Sequence, residues 1–158
     1  MVRLRPLSEE EYDTFYEFVV FDYAEGLVHA GNAHPAVAVQ LSQQQCLAVL
    51  SDRLDSPNQF FFLVYDDLLD EPVGYLWWGV REQHGTRTAV LYFIGIFEPY
   101  RRRGYATQVL RLLDEQVRDA GLDEIRLYVF GHNTRAWPLY EKMGYAVVSA
   151  TMAKKIET

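Results

Sequence analysis

From Tyr105 to Ala120 the apolar residues fall at Ala106, Val109, Leu110, Leu113, Val117 and Ala120. That spacing lays them along one face of a helix. Gly121 is placed to end it. The segment TAVLYFIGIF (88–97) precedes this helix and EIRLYVF (124–130) follows it, and both read as strands. With joins this short, strand, helix and strand form one βαβ unit. The two strands are therefore expected to run parallel, linked by a right-handed crossover.

The remaining elements build a sheet around that unit. VRLRPL (2–7) alternates and reads as a first strand. Ser8 and Glu11 have capping-box spacing, which starts a helix expected to run to about Ala24. EGLVHAGNAHP (25–35) reads as a loop. A second helix is expected over 36–54, with Val37, Leu41, Leu47 and Leu50 among its apolar positions. QFFFLVYDD (59–67), VGYLWWGV (73–80) and TAVLYFIGIF follow with short loops, which predicts an antiparallel meander. A last helix is expected over 133–143, and YAVVSATMAKK (145–155) reads as a closing strand or hairpin. No repeat, linker or low-complexity segment interrupts the 158 residues, so one domain is expected over 1–158.

Composition narrows the partners. The chain is 49% hydrophobic and 15% aromatic, which suits a packed core. No apolar run is long enough for a membrane span, and the first residues lack a signal core. Cys46 is the sole cysteine, so no internal disulfide can form, and a reducing, cytoplasmic setting is expected. Cys46 lies in a stretch that reads as a helix, with no activating partner identifiable, so a structural thiol is expected and not a nucleophile. A net charge of −7 opposes nucleic-acid binding. Seven acids lie within residues 1–25 (Glu9, Glu10, Glu11, Asp13, Glu17, Asp22 and Glu25), either as a solvated helix face or as a wall that attracts cations.

Against that acidic background, Arg101, Arg102 and Arg103 run into Gly104 where the strand turns into the helix. Ligands bind at the carboxyl ends of strands in α/β sheets. The first N–H groups of a helix have no internal partner and attract phosphate. Gly104 lets the backbone turn and approach closely. A Walker pattern and a full G-x-G-x-x-G are both absent. His29, His34, His84 and His132 lack metal-ligand spacing, and no G-x-S-x-G is present.

IGIFEPYRRRGYA (94–106) and NTRAWPLYEKMGY (133–145), one helix and one strand apart, resemble the paired motifs of the GNAT superfamily of N-acetyltransferases. The resemblance centres on 88–145 and extends loosely along the chain. It implies a mixed α/β fold with a mostly antiparallel twisted sheet, helices on both faces, and one parallel pair splayed at the cofactor site. It implies transfer of an acetyl group from acetyl-CoA, with no metal, to a primary amine of a small molecule or peptide in a ternary complex. The pyrophosphate turn then falls on Arg101, Arg102, Arg103, Gly104, Tyr105 and Ala106, with the hydroxyl of Thr107 just after. Backbone at Ile96 and Phe97 matches the position that pairs with the pantetheine arm, and Gly95 is a candidate for the bulge that splays the strands. Asn133 matches an asparagine that contacts the CoA arm, and doubles as a helix cap. Tyr140 matches the tyrosine that protonates the departing sulfur; a buried packing tyrosine is the alternative. Glu98 stands where the family commonly has proline, and Ala106 replaces a commoner glycine.

The base is open. Tyr92, Asp22 and Glu25 are candidates, and solvent suffices for an amine of low pKa. Of Trp77 and Trp78, adjacent on a strand, one is expected in the core and the other is free to line the acceptor site. A non-catalytic acyl-CoA-binding module of the same fold is the alternative to an enzyme. A homodimer through the final strands or the meander is compatible with the sequence.

Overall fold

The computed structural model describes residues 1–157. Five strands form one sheet in sequential order: β1 (Val2–Pro6), β2 (Gln59–Asp66), β3 (Glu71–Gln83), β4 (Thr86–Ile96) and β5 (Ile125–Leu127). The first four run antiparallel, and β4 and β5 run parallel. Two long helices, α1 (Glu9–His29) and α2 (Pro35–Val49), pack on one face, where Phe15, Val19, Cys46, Tyr75 and Trp77 share a core cluster. On the other face α3 (Tyr105–Asp119) buries Val109, Leu110, Leu113 and Val117 against Leu76, Trp78 and Leu91. The helix α4 (Ala136–Lys142) brings Leu139 and Tyr140 to the rim of that second cluster. The expected class, a mostly antiparallel sheet with one parallel βαβ pair and helices on both faces, is what the chain adopts.

The capping box starts α1. Glu11 accepts hydrogen bonds from the Ser8 amide and hydroxyl, both at 2.9 Å, and from Arg5 Nη2 at 2.6 Å. The Arg5 pair, then these serine donors, hold the Glu11 carboxyl near a pKa of about 2, although partial burial works the other way. A carboxylate depressed below its unfolded value stabilises the fold above that unfolded value, near 4.5, and the gain is lost as pH falls toward 2. Glu11→Gln is therefore expected to cost about 1 kcal/mol at neutral pH and almost nothing in acid. Urea titrations at neutral pH and at acid pH check this; an equal loss at both would detach the effect from the charge.

Several boundaries depart from the sequence reading. α1 continues past Ala24 to His29 and carries Gly26 inside it. A Cβ at Gly26 would lie 2.5 Å from Phe130 Cε2, so glycine is there to let that ring sit against the helix. α2 ends at Val49, and a separate 3-10 turn takes Arg53–Asp55. Its buried side is Ala38, Ser42 and Cys46, while Val37 and Leu47 stay exposed at 49% and 58%. Small side chains bring α2 close enough to α1 for Ser42 to donate to the Val20 carbonyl at 2.8 Å. β5 is shorter than the 124–130 expected, and α4 begins at Ala136. Among the described residues no strand follows Tyr145, so the expected closing strand or hairpin is not formed within this chain.

The bulge lies at Tyr92 and not at Gly95. Trp78 pairs with Leu91 and Trp77 with Phe93, so Tyr92 has no partner across the ladder. Gly95 has a different task. A Cβ there would meet the Phe93 ring at 2.7 Å.

Candidate active site

β4 and β5 pair only from Ala89 to Leu91, after which the parallel strands part. The bulge decides what β4 shows to the gap. Before it, the amide of Ala89 points to β5 and donates to the Glu124 carbonyl at 3.1 Å. A regular strand would keep odd-numbered residues facing that way. The additional residue at Tyr92 reverses the phase. Phe97 accordingly donates to Val73 on β3 at 2.8 Å, so the backbone groups of Ile94 and Ile96 face the gap.

At the end of β4 a 3-10 turn over Glu98–Tyr100 leads into the arginines. Arg101 folds back, and its Nε donates to the Ile96 carbonyl at 2.9 Å. Arg102 takes a φ of 64° and Gly104 a φ of 78°, two left-handed positions in three residues. Such alternation turns successive N–H groups toward one side, a concavity suited to anions. The amides of Arg102 through Thr107, six in a row, donate to no acceptor among the described residues. Arg101, Arg102 and Arg103 are all exposed, and Ala106 and Thr107 are half-buried in the first turn of α3. Nothing lies within 4 Å of a Cβ built on Gly104, so its open side faces free space.

Two contacts fix this turn to the sheet. The Tyr105 hydroxyl donates to Asp66, which also accepts from the amides of Leu68 and Leu69 at 2.8 and 3.3 Å. Those donors, Tyr105 first, draw the Asp66 carboxyl below its usual range, with burial opposing them. Tyr100 donates to Glu71 at 2.5 Å, and the Arg103 guanidinium lies 5.8 Å from the Tyr100 ring centre. The Tyr105 anchor has no local signal in the sequence, because an Asp that ends one strand meets a Tyr that opens a distant helix.

Tyr140 is half-buried beside the same cluster that holds Ile94, Ile96 and Tyr105. Burial pushes its phenol up to about 12. Its ring meets that of Tyr145 edge-on at 5.6 Å. The Tyr145 hydroxyl is buried with no hydrogen-bond partner among the described residues. Asn133 is exposed, and its side chain accepts weakly from the Ala136 amide at 3.4 Å, as a cap would.

The base candidates sit apart from one another. Asp22 and Glu25 lie on the exposed side of α1. The surrounding protein raises the Asp22 carboxyl, Glu25 adds to that, and Arg101 opposes it, which places Asp22 within electrostatic reach of the turn. Tyr92 stacks on Trp77 at 4.7 Å, and burial raises its phenol. Neither tryptophan lines a cleft. Both are 3% exposed, with Trp77 donating to Gln59 and Trp78 to Gln116. Covering both faces of the sheet buries both. The C-terminal end of α1 meets the chain beyond β5 through aromatic rings: Tyr23 on Phe130 at 5.9 Å and His29 on His132 at 5.4 Å. Among the described residues no group of three His, Cys, Asp or Glu side chains converges, and no helix is long and apolar enough to cross a membrane.

The sequence and the fold both have counterparts among known proteins. Residues 8–145 match the model of the Acetyltransferase (GNAT) family. The chain is 34% identical over 155 residues to the uncharacterized N-acetyltransferase YycN of Bacillus subtilis, covering 98% of this chain and 99% of that one. The crystal structure of YycN superposes over the full length of both chains with a TM-score of 0.93. A second B. subtilis protein, the uncharacterized N-acetyltransferase YdgE, is 32% identical over 97% of each chain. Mycothiol acetyltransferase of Corynebacterium glutamicum is 33% identical in an alignment 142 positions long that covers 80% of this chain and 49% of that protein. With its own geometry and these likenesses in agreement, the chain belongs to the GNAT family of acetyltransferases.

Proposed function

We propose that this protein, as one domain, transfers an acetyl group from acetyl-CoA to a primary amine of a small molecule or peptide. The observation that carries the reading is the row of six free amides from Arg102 to Thr107, set beside the parted strands. These amides, the α3 dipole and the arginine charges suit a pyrophosphate. Ile96 turns its amide to the gap, where it donates to the pantetheine arm, while its carbonyl accepts from Arg101 Nε at 2.9 Å. Phe97 does not, because Val73 and Tyr100 already engage its amide and carbonyl. Asn133, exposed before α4, flanks the same arm.

Bound acetyl-CoA supplies a thioester carbonyl carbon for attack by the amine. The Ile94 amide, which faces the same gap, polarises that carbonyl. Tyr140 faces a thiol whose ordinary pKa is near 8.5, so with its phenol near 12 complete proton transfer costs about 5 kcal/mol. Its role is then to donate a hydrogen bond as charge grows on sulfur, while the proton that neutralises the thiolate is the one shed by the amine nitrogen. Asp22, whose carboxyl burial raises and Arg101 lowers, is the carboxylate assigned to receive that proton on its way. The acids of α1 favour a cationic acceptor. That relatives are named for mycothiol supports a small-molecule acceptor.

Calorimetric titration tests this. Acetyl-CoA is expected to bind with micromolar affinity, about −8 kcal/mol, and ATP and NAD not to compete. Gly104→Ala separates site from scaffold. With no neighbour within 4 Å, the substitution costs only the strain of a φ of 78°, about 1 kcal/mol of stability. Acetyl-CoA affinity is expected to fall about tenfold or more, because the methyl occupies the side the ligand approaches. Folded protein that does not bind acetyl-CoA would remove the reading.

A further inference from the structure

Arg3, Arg5, Arg53, Arg87 and Arg126 are each held by a carboxylate. The other lysines and arginines make no ion pair among the described residues, and all but one of them are exposed. The exception is Arg81 of β3, which is half-buried. Withdrawing a charge from water without a counter-charge is costly. Its one protein acceptor among the described residues is a hydroxyl: Nη1 donates to Tyr128 at 2.9 Å, and the guanidinium carbon lies 5.9 Å from the Tyr128 ring centre. The Nε and Nη2 edge stays free, and its two parallel N–H groups match the two oxygens of a carboxylate. Tyr128 accepts from Arg81 and still has its own proton to donate.

The place of this pair says what it can hold. The last rung between β4 and β5 joins Leu91 to Leu127. Tyr92 and Tyr128 are the next residues on the two strands, so they stand at the closed end of the gap. Trp77 and Arg81 are four apart on β3 and share a face, the one that packs with α1. Tyr92 stacks on Trp77 at 4.7 Å on that face. Burial raises the Tyr92 phenol, and the Arg81 charge acts against it. The opposite face belongs to α3 and to the rim that carries Tyr140. A cofactor arm that enters at the arginine turn and follows the gap ends beside Tyr92, and an acceptor reaches that end from the α1 side.

We infer that Arg81 and Tyr128 hold a carboxylate of the acceptor, which is then an amino acid or short peptide with a free carboxyl group. This rests on the acetyltransferase reading above and narrows its substrate. The acids of α1 draw the ammonium end of such a zwitterion, and Arg81 draws the other. A plain polyamine would leave Arg81 uncompensated and facing like charge.

Thiol release from acetyl-CoA is measured with three matched sets: free amino acids and dipeptides, their carboxamides, and the corresponding decarboxylated amines. At least one acid is expected to react with a KM about 10- to 100-fold below that of its carboxamide, the value of one hydrogen bond to a charged group. Amino acids against dipeptides separate the two sources of the carboxylate. Arg81→Met is expected to raise the KM of the acid by about the same factor and so erase the preference, with calorimetric acetyl-CoA affinity unchanged. Arg81→Lys, which keeps the charge but loses the fork, is expected to restore part of it. Carboxamides or amines that serve the parent chain as well as the acids overturn the inference, whether or not the variants fold. So does an acid preference that survives Arg81→Met. Acetyl-CoA binding with no turnover of any acid also overturns it, while the cofactor reading stands. A folded parent chain that does not bind acetyl-CoA removes the acetyltransferase reading and this inference together.

Discussion

Tyr140→Phe is expected to lower kcat roughly 10- to 100-fold, the value of one hydrogen bond to a charged group, while acetyl-CoA binds with unchanged affinity. Removing a single oxygen leaves the ring and its place at the rim of the α3 cluster intact. The substitution exposes no unpaired donor, so the fold should tolerate it. Timing decides where the loss appears. Sulfur is nearly neutral in the bound thioester and charged only as the bond breaks. A phenol that stays protonated to about pH 12 has its proton ready at every working pH. An interaction made only at that stage appears in kcat and leaves ground-state binding alone. Stopped-flow detection of thiol release, with calorimetry for the cofactor, separates the two. An unchanged kcat would return Tyr140 to a packing role, and weakened binding with normal kcat would make it a cofactor contact.

Gly74→Ala is expected to be the most damaging single methyl in the sheet. A Cβ there would lie 2.2 Å from the Gly95 carbonyl oxygen and 3.1 Å from the Ile96 Cα. Both are backbone atoms, so no side chain can rotate away. β3 and β4 must separate beside the residue whose amide faces the cofactor gap. A cost of roughly 2–4 kcal/mol, or about 5–15 °C in melting temperature for a chain this size, is expected. Acetyl-CoA affinity should fall as well. Gly95→Ala is the control, because its Cβ meets the Phe93 ring, which has some freedom to adjust. A melting curve for Gly74→Ala within a degree of the parent would mean that the strands slide freely at this end, against the close fit described.

The arginine turn was legible because its signals are local. Gly104, the three arginines and the apolar stripe of α3 fall within twenty residues, and the periodicity alone forces the crossover. The departures share a different cause. Val37 and Leu47 face solvent because α2 meets α1 through Ala38, Ser42 and Cys46, and no single helix reveals which of its sides a neighbour will choose. Gly26 reads as a breaker until Phe130, more than a hundred residues away, is seen to need the space. The strand-like pattern after Tyr145 is real as a pattern, but a strand exists only where a ladder partner does. The bulge left no trace in composition, since Tyr92 would suit any half-buried strand.

That bulge makes β4 behave like a reading frame. Losing one residue between Thr88 and Leu91, or gaining one between Phe93 and Ile96, would rotate everything downstream by half a turn. Phe97 would then turn its amide toward the gap and Ile96 away from it. A second change of opposite sign further along the strand would restore the phase, much as paired insertions and deletions restore a coding frame. The spacing between Tyr92 and the arginine turn is therefore under a parity constraint that no single side chain expresses. Variants of this chain that alter the length of β4 should survive in compensating pairs.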